Sequence, residues 1–196
     1  MKFRNNVILS VSSVCLILLG AQFGSAQDSS QSTANLVPAE VWLTKSLDAR
    51  KDQPGASFEA RLKSTVHLKN GTELPQGTLL EGTVVADQSK SAGASQLALR
   101  FTNAKLKGGK LVPIEATIVG LAEPALGTDS NSSYDGPTPW NGTTTLFDMT
   151  GALNNIDLHS KIGADNSGTL VASGKSALKL SSGSRLSLAL GDKSSN

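Results

Sequence analysis

The sequence predicts an all-β fold, an antiparallel β-barrel or sandwich with one long polar insertion, preceded by a signal peptide. Three observations predict it. Apolar and polar residues alternate over several stretches, as in Phe58-Glu59-Ala60-Arg61-Leu62. Turn chemistry separates those stretches at short intervals, as in Leu74-Pro75-Gln76-Gly77. Aromatic residues make up only 4% of the 196 residues, against 19 glycines, a balance that suits a turn-rich β domain with a flexible segment.

The N-terminus reads as an address. Lys2 and Arg4 precede an apolar stretch from Val7 to Phe23, and Gly24-Ser25-Ala26 supplies the small residues of a cleavage site, so residues 1–26 form a secretory signal peptide. Ser10, Ser12, Ser13 and Gly20 interrupt the apolar run, which argues against a retained membrane anchor. Val14 stands before Cys15 where a lipid-attachment site needs a small residue, which argues against a lipoprotein. Taking Lys2 and Arg4 from 18 bases leaves 16, balancing the 16 acids, and the one cysteine leaves with them. A neutral, cysteine-free exported chain excludes a disulfide framework and a strongly basic nucleic-acid binder. It places the protein in the bacterial periplasm or outside the cell, with no transmembrane segment after cleavage.

Residues 27–38 begin with the polar run QDSSQSTAN and read as a disordered tether. The main part of the β-domain spans 39–122. Val41-Trp42-Leu43 opens a first strand that runs toward Leu47. From Ser57 to Lys69, Phe58, Ala60, Leu62, Val66 and Leu68 share one side, which predicts one long half-buried strand. Phe58, Leu62 and Val66 also fall four apart, but a helix would misplace Ala60 and Leu68, and Thr65-Val66 favours a strand. After the Pro75–Gly77 turn, Thr78–Asp87 is strand-like, and Gly82 within it marks a bulge or a close backbone approach. Gln88–Ala94 is a polar loop, Leu97, Leu99 and Phe101 alternate in a further strand, and Lys107-Gly108-Gly109-Lys110 is a hairpin turn. Val112, Ile114, Ala116 and Ile118 share a face of the next strand, where Pro113 implies an edge or a bulge.

The alternation then fades. Residues 123–168, including GTDSNSSYDGPTPWNGTTT, read as a flexible polar loop. Residues 169–192 read as a C-terminal hairpin completing the domain, with Ser181–Ser184 as its turn, and 193–196 as a tail.

Chemistry-bearing residues are few. His67 lies on the solvent side of its strand. His159, between Asp157 and Ser160, invites comparison with a Ser-His-Asp site, but sequence neighbours rarely supply the convergent geometry of a triad. Asp165-Asn166-Ser167-Gly168 lacks the spaced acids of a calcium loop and reads as a turn. No catalytic constellation, metal set or cofactor motif is visible, so none is expected. Tyr134 and Trp140, together in the polar loop, are the candidate partner-binding residues, and packing back onto the domain is the reading favoured over that role.

Taken in order, LPQGTLLEGTVV, SQLALRFTNAKLKGGKLVPIEATI and SALKLSSGSRLSLAL resemble the C-terminal β-barrel domain of the TrbI family, channel and scaffold components of conjugative and type IV secretion systems. Pro75, Gly77, Leu80 and Gly82 match its "P-x-G-x-x-L-x-G" signature. Gly109 with Val112-Pro113-Ile114, and Gly183 with Arg185, Leu186 and Leu188, match two others. The resemblance implies a barrel with a long insertion, and small exported bacterial proteins with the same core are similar. The expected function is an exported, non-enzymatic module with a binding or scaffolding role at the cell envelope, toward an envelope protein or polymer. A secreted hydrolase acting on envelope or extracellular polymer is the alternative.

Overall fold

The computed structural model describes residues 33–85, 95–124, 137, 139–173 and 177–193. The expected signal peptide, the loop before Ser95 and Tyr134 lie outside them. A 3-10 turn, Thr33–Asn35, precedes thirteen strands: β1 (Val37–Leu43), β2 (Leu47–Asp48), β3 (Ser57–Leu62), β4 (Val66–His67), β5 (Glu73–Leu74), β6 (Leu79–Val85), β7 (Gln96–Lys105), β8 (Leu111–Ala122), β9 (Leu146–Leu153), β10 (Ile156–Lys161), β11 (Gly168–Ala172), β12 (Lys179–Leu180) and β13 (Arg185–Asp192).

Alternation decides the architecture. Strand side chains point to opposite faces in turn, so each half-apolar strand must bury one side. Val41 and Leu43 of β1, Phe58, Ala60 and Leu62 of β3, Leu80 and Val84 of β6, and Leu186, Leu188 and Leu190 of β13 meet in one core. The antiparallel order β6-β3-β1-β13-β8-β7, with β7 pairing back onto β6, closes it as a six-strand barrel, which decides between barrel and sandwich. Closure leaves none of these six as an end strand, although β7 and β8 pair only over Asn103–Lys105 and Leu111–Pro113 before they part.

Two bulges tune the wall. On β7 an extra residue, Thr102, lies between the pairs Glu81↔Asn103 and Gly82↔Phe101. Phe101 and Ala104 therefore both reach the core although they are three apart. On β8, Val119 is extra between Leu188↔Ile118 and Ser187↔Gly120, so Ile118 and Leu121 both face inward while Val119 joins a second cluster. Gly82 fulfils both readings made for it. It adjoins the β7 bulge, and a Cβ there would lie 2.5 Å from the Phe58 ring and 2.6 Å from the Arg100 carbonyl. Pro113, which has no N–H to give a ladder, sits where β8 leaves β7 (Asn103↔Pro113) for β13 (Asp192↔Ile114).

Several boundaries differ from expectation. The tether is shorter than 27–38: Leu36 is buried and β1 starts at Val37, because these apolar residues have barrel surface to cover. The long strand expected over Ser57–Lys69 breaks after Leu62, and β4 instead pairs with β5 in a separate small ladder. Residues 169–192 are not a hairpin. β12 pairs with β2 (Leu180↔Leu47), while β13 lies between β1 and β8. The loop expected over 123–168 contains β9, β10 and the start of β11, an antiparallel sheet that continues from β7 in the order β7-β11-β10-β9. Asn154 and Asn155 hold positive φ (23° and 63°) and turn β9 into β10, a conformation asparagine tolerates better than most residues. Ser167 fastens this sheet to the barrel. It is buried, its N–H donates to Leu99 (2.7 Å), its carbonyl accepts from Ile118 (2.7 Å), and its Oγ accepts from the Phe101 N–H (3.0 Å).

Candidate functional site

Of the candidate partner-binding pair, Tyr134 lies outside the described residues, and Trp140 packs back onto the domain, the outcome its sequence setting favours. Its indole is buried with Leu36, Val119, Ile162 and Ala189 on the outside of the barrel wall, and Nε1 donates to the Thr144 carbonyl (3.1 Å). The β8 bulge turns Val119 outward, and that apolar patch draws the aromatic residue of the connecting chain onto it.

The would-be triad is taken apart by strand alternation. Ser160 is buried on one face of β10 and donates to the Ile118 carbonyl. Asp157 and His159 lie on the other. His159 Nδ1 sits 2.5 Å from Asp148 across the ladder, whereas Asp157 accepts from the Gly151 N–H (2.6 Å) and the Ser173 hydroxyl (2.9 Å). The Gly151 amide chiefly, then the Ser173 hydroxyl and the nearby His159, hold the Asp157 carboxyl below the usual aspartate range. Its role is local: it caps the bulge where Thr150, Gly151 and Ala152 bow out between Leu158↔Met149 and Ile156↔Leu153. Asp165 offers its carbonyl to Arg100 Nε in the turn expected there, and His67 is exposed as expected. Among the described residues no three His, Cys, Asp or Glu converge as a metal set.

Three features remain that can meet a partner. The first is β9, the end strand of the sheet, whose only ladder among the described residues is with β10. It carries Leu146, 63% exposed, and Met149, 38% exposed. The second is a pair of cavities. One, of about 330 Å³, opens at the fork between β7 and β8 and is lined by Arg100, Glu115 and Asp165 among others. The other, of about 310 Å³, lies against Glu123, Asn155, Lys179 and Ser184. The third is Trp42, 41% exposed on the outer barrel wall, with Arg61 directly opposite on β3 and Arg185 directly opposite on β13.

The sequence reading missed the first and third. Asn154-Asn155 between two mixed stretches was the available signal for the β9–β10 hairpin. The setting of Trp42 needs two strand registers, which one sequence does not show. The molecule is thus a closed six-strand β-barrel with a three-strand sheet, β11-β10-β9, that shares its core through Ile156, Leu158, Leu170 and Ala172. Compared with family models, curated proteins and solved structures, the chain matches none.

Proposed function

We propose that this chain is an exported, non-enzymatic binding module that engages a partner protein at the bacterial cell envelope through β9. One observation carries the reading: an end strand that displays Leu146 and Met149 to solvent beyond a closed barrel. End strands are usually blunted by charge, proline or a bulge, because their open amides recruit further strands. Here the bulge at Thr150–Ala152 blunts one half, and the half from Leu146 to Met149 stays regular, with Asp148 its only charge. A partner strand laid there gains backbone hydrogen bonds and flanks one apolar side chain on each face of the sheet, since Leu146 and Met149 lie three apart, the mode of strand addition. Export is supported by the leader-like sequence from Lys2 to Ala26.

Site-specific photo-crosslinking in bacteria expressing the full chain tests this. A crosslinker at Leu146 is expected to give a discrete adduct in the envelope fraction, abolished by Asp148→Pro on the same strand. The same probe at Leu111, itself 50% exposed on β8, is the control. Equal labelling at both positions, or no adduct at Leu146, refutes the reading.

A further inference from the structure

We propose that the fork between β7 and β8 binds the free C-terminal residue of a polypeptide, at a site apart from the β9 edge. The two strands pair only over Asn103–Lys105 and Leu111–Pro113. Past Pro113, β7 gives its edge to β11 (Leu97↔Leu170), while β8 stays with β13. Ser167 closes the fork at its wide end, since its N–H donates to Leu99 and its carbonyl accepts from Ile118, both at 2.7 Å. Between Pro113 and Ile118 the open edge of β8 therefore faces a cavity of about 330 Å³ rather than a neighbouring strand.

Parity fixes which backbone groups look into it. Successive residues of a strand turn their N–H and C=O to opposite edges. The Lys193 N–H donates to the Pro113 carbonyl, so Pro113, Glu115 and Thr117 turn toward β13. Ile118 turns the other way, toward Ser167, and Ala116, two residues before it, does the same. On that side the Ala116 N–H and C=O meet no ladder and no turn hydrogen bond among the described residues. Ala116 is only 8% exposed, and a buried amide and carbonyl side by side call for one acceptor and one donor.

The lining supplies the rest. Arg100, on β7 across the fork, gives its Nε–H to the Asp165 carbonyl, which fixes the guanidinium, and it makes no ion pair among the described residues. Glu115 leans the other way, over β13: its Oε1 lies 3.2 Å from where a Cβ on Gly191 would stand. The end residue of a peptide matches this set. Its N–H donates to the Ala116 carbonyl, one carboxylate oxygen accepts from the Ala116 N–H, and the other accepts from Arg100. Residues opposed in such a pair share a face, so its side chain turns inward like that of Ala116, toward Phe101 and Ile114, where a small one fits. A continuous strand cannot lie there, because the fork is closed at Pro113 and at Ser167, so a chain end is selected over an internal segment.

Amide NMR on the full chain tests the site. The probe is N-acetyl trialanine with a free carboxylate; its C-terminal amide and plain acetate are the comparison arms. In the chain alone, the Ala116 N–H should exchange with solvent about tenfold faster than those of Glu115 and Thr117, which bond to β13. The free-carboxylate peptide should shift the Ala116 resonance and slow its exchange about tenfold. Capping the carboxylate should weaken binding about tenfold, the loss of one charge-assisted contact. Arg100→Gln should weaken the free peptide by a similar factor and leave the capped one unchanged, and Arg100→Lys should recover part of the loss. Resonances of β3, on the opposite side of the barrel, report that each variant keeps the fold. An Ala116 N–H protected as well as its neighbours, or no binding of the peptide, overturns the proposal. So do equal binding of the capped peptide, acetate binding as tightly as the peptide, and shifts confined to β9. The Leu146 adduct is read on another strand, so the β9 reading stands or falls apart from these outcomes.

Discussion

Replacing Gly82 with alanine tests whether the barrel wall is as tight at the β6–β7 bulge as its geometry states. Gly82 does not hold a positive φ, so alanine fits the backbone, and lost freedom in the unfolded chain would by itself stabilise by about 0.7 kcal/mol. Space decides otherwise. The new methyl would stand 2.5 Å and 2.8 Å from two carbons of the Phe58 ring and 2.6 Å from the Arg100 carbonyl of the paired strand. Phe58 cannot yield cheaply: it is buried, and it packs edge-on to Phe101 with centroids 5.0 Å apart at 76°. Overpacking of this severity costs about 3 kcal/mol, the upper end of its usual range. Displacing the ring from its aromatic partner adds about 1 kcal/mol. The expected net loss is about 3 kcal/mol. That is a fall in Tm of about 6–12 °C for a domain of this size. Urea unfolding followed by far-UV circular dichroism measures it. Repeating the substitution in a Phe58→Leu background, where the ring edge is gone, should recover at least about 1 kcal/mol of the cost. A Gly82→Ala chain within about 0.5 kcal/mol of the parent, or an identical cost in both backgrounds, refutes the reasoning.

Two further outcomes follow from single side chains. The Ser184 hydroxyl is buried and has no hydrogen-bond partner among the described residues, so Ser184→Ala should leave stability unchanged or raise it by about 1 kcal/mol in the same unfolding assay, and a clear loss would show that the hydroxyl is satisfied. Asp157 is held below the ordinary aspartate value, so its support of the Gly151 bulge is complete above the unfolded pKa of about 4 and is lost as pH falls through the lower folded value. The Gly151 amide resonance should therefore titrate with a midpoint below that of a free aspartate and stop responding in Asp157→Asn, and a midpoint at or above the free value contradicts the assignment.

The barrel strands were legible because one face of each is apolar, and Leu186, Leu188 and Leu190 needed no more than their spacing to declare a strand. The break after Leu62 was not legible. Val66 follows Leu62 by four positions, an even offset, so the inward phase continues through the corner, and only the polar Ser64 at an inward position marks it. The bulges were half legible. Gly82 announced its own, whereas Val119 sits in an unbroken apolar run, Ile118–Leu121, that hides which residue faces outward. The sheet in 146–172 was obscured for a different reason. β9 is exposed along most of its length, so nothing imposes a one-sided apolar pattern on it. For the same reason Trp140 looked like a surface anchor: its polar neighbours are its own loop, while its apolar partners come from Leu36, Val119 and Ala189, far away in sequence.

The placing of β9 has its structural cause in β7. The barrel closes because β8 pairs with β7 over Leu111–Pro113 and with β13 from Ile114 onward, the change of partner falling at Pro113, opposite Asn103. Beyond that point the edge of β7 from Gln96 to Leu99 would stand open, and β11 takes it, which is how a second sheet comes to be rooted in the barrel wall. Ser167 makes the junction rigid by bonding to residues of both diverging strands, so β9 is carried at a set orientation rather than on a free loop. Closure has the opposite effect at Trp42. There β1 is flanked by β3 and β13, no edge exists, and recognition has only outward side chains to work with. An exposed backbone edge such as that of β9, by contrast, suits a protein strand.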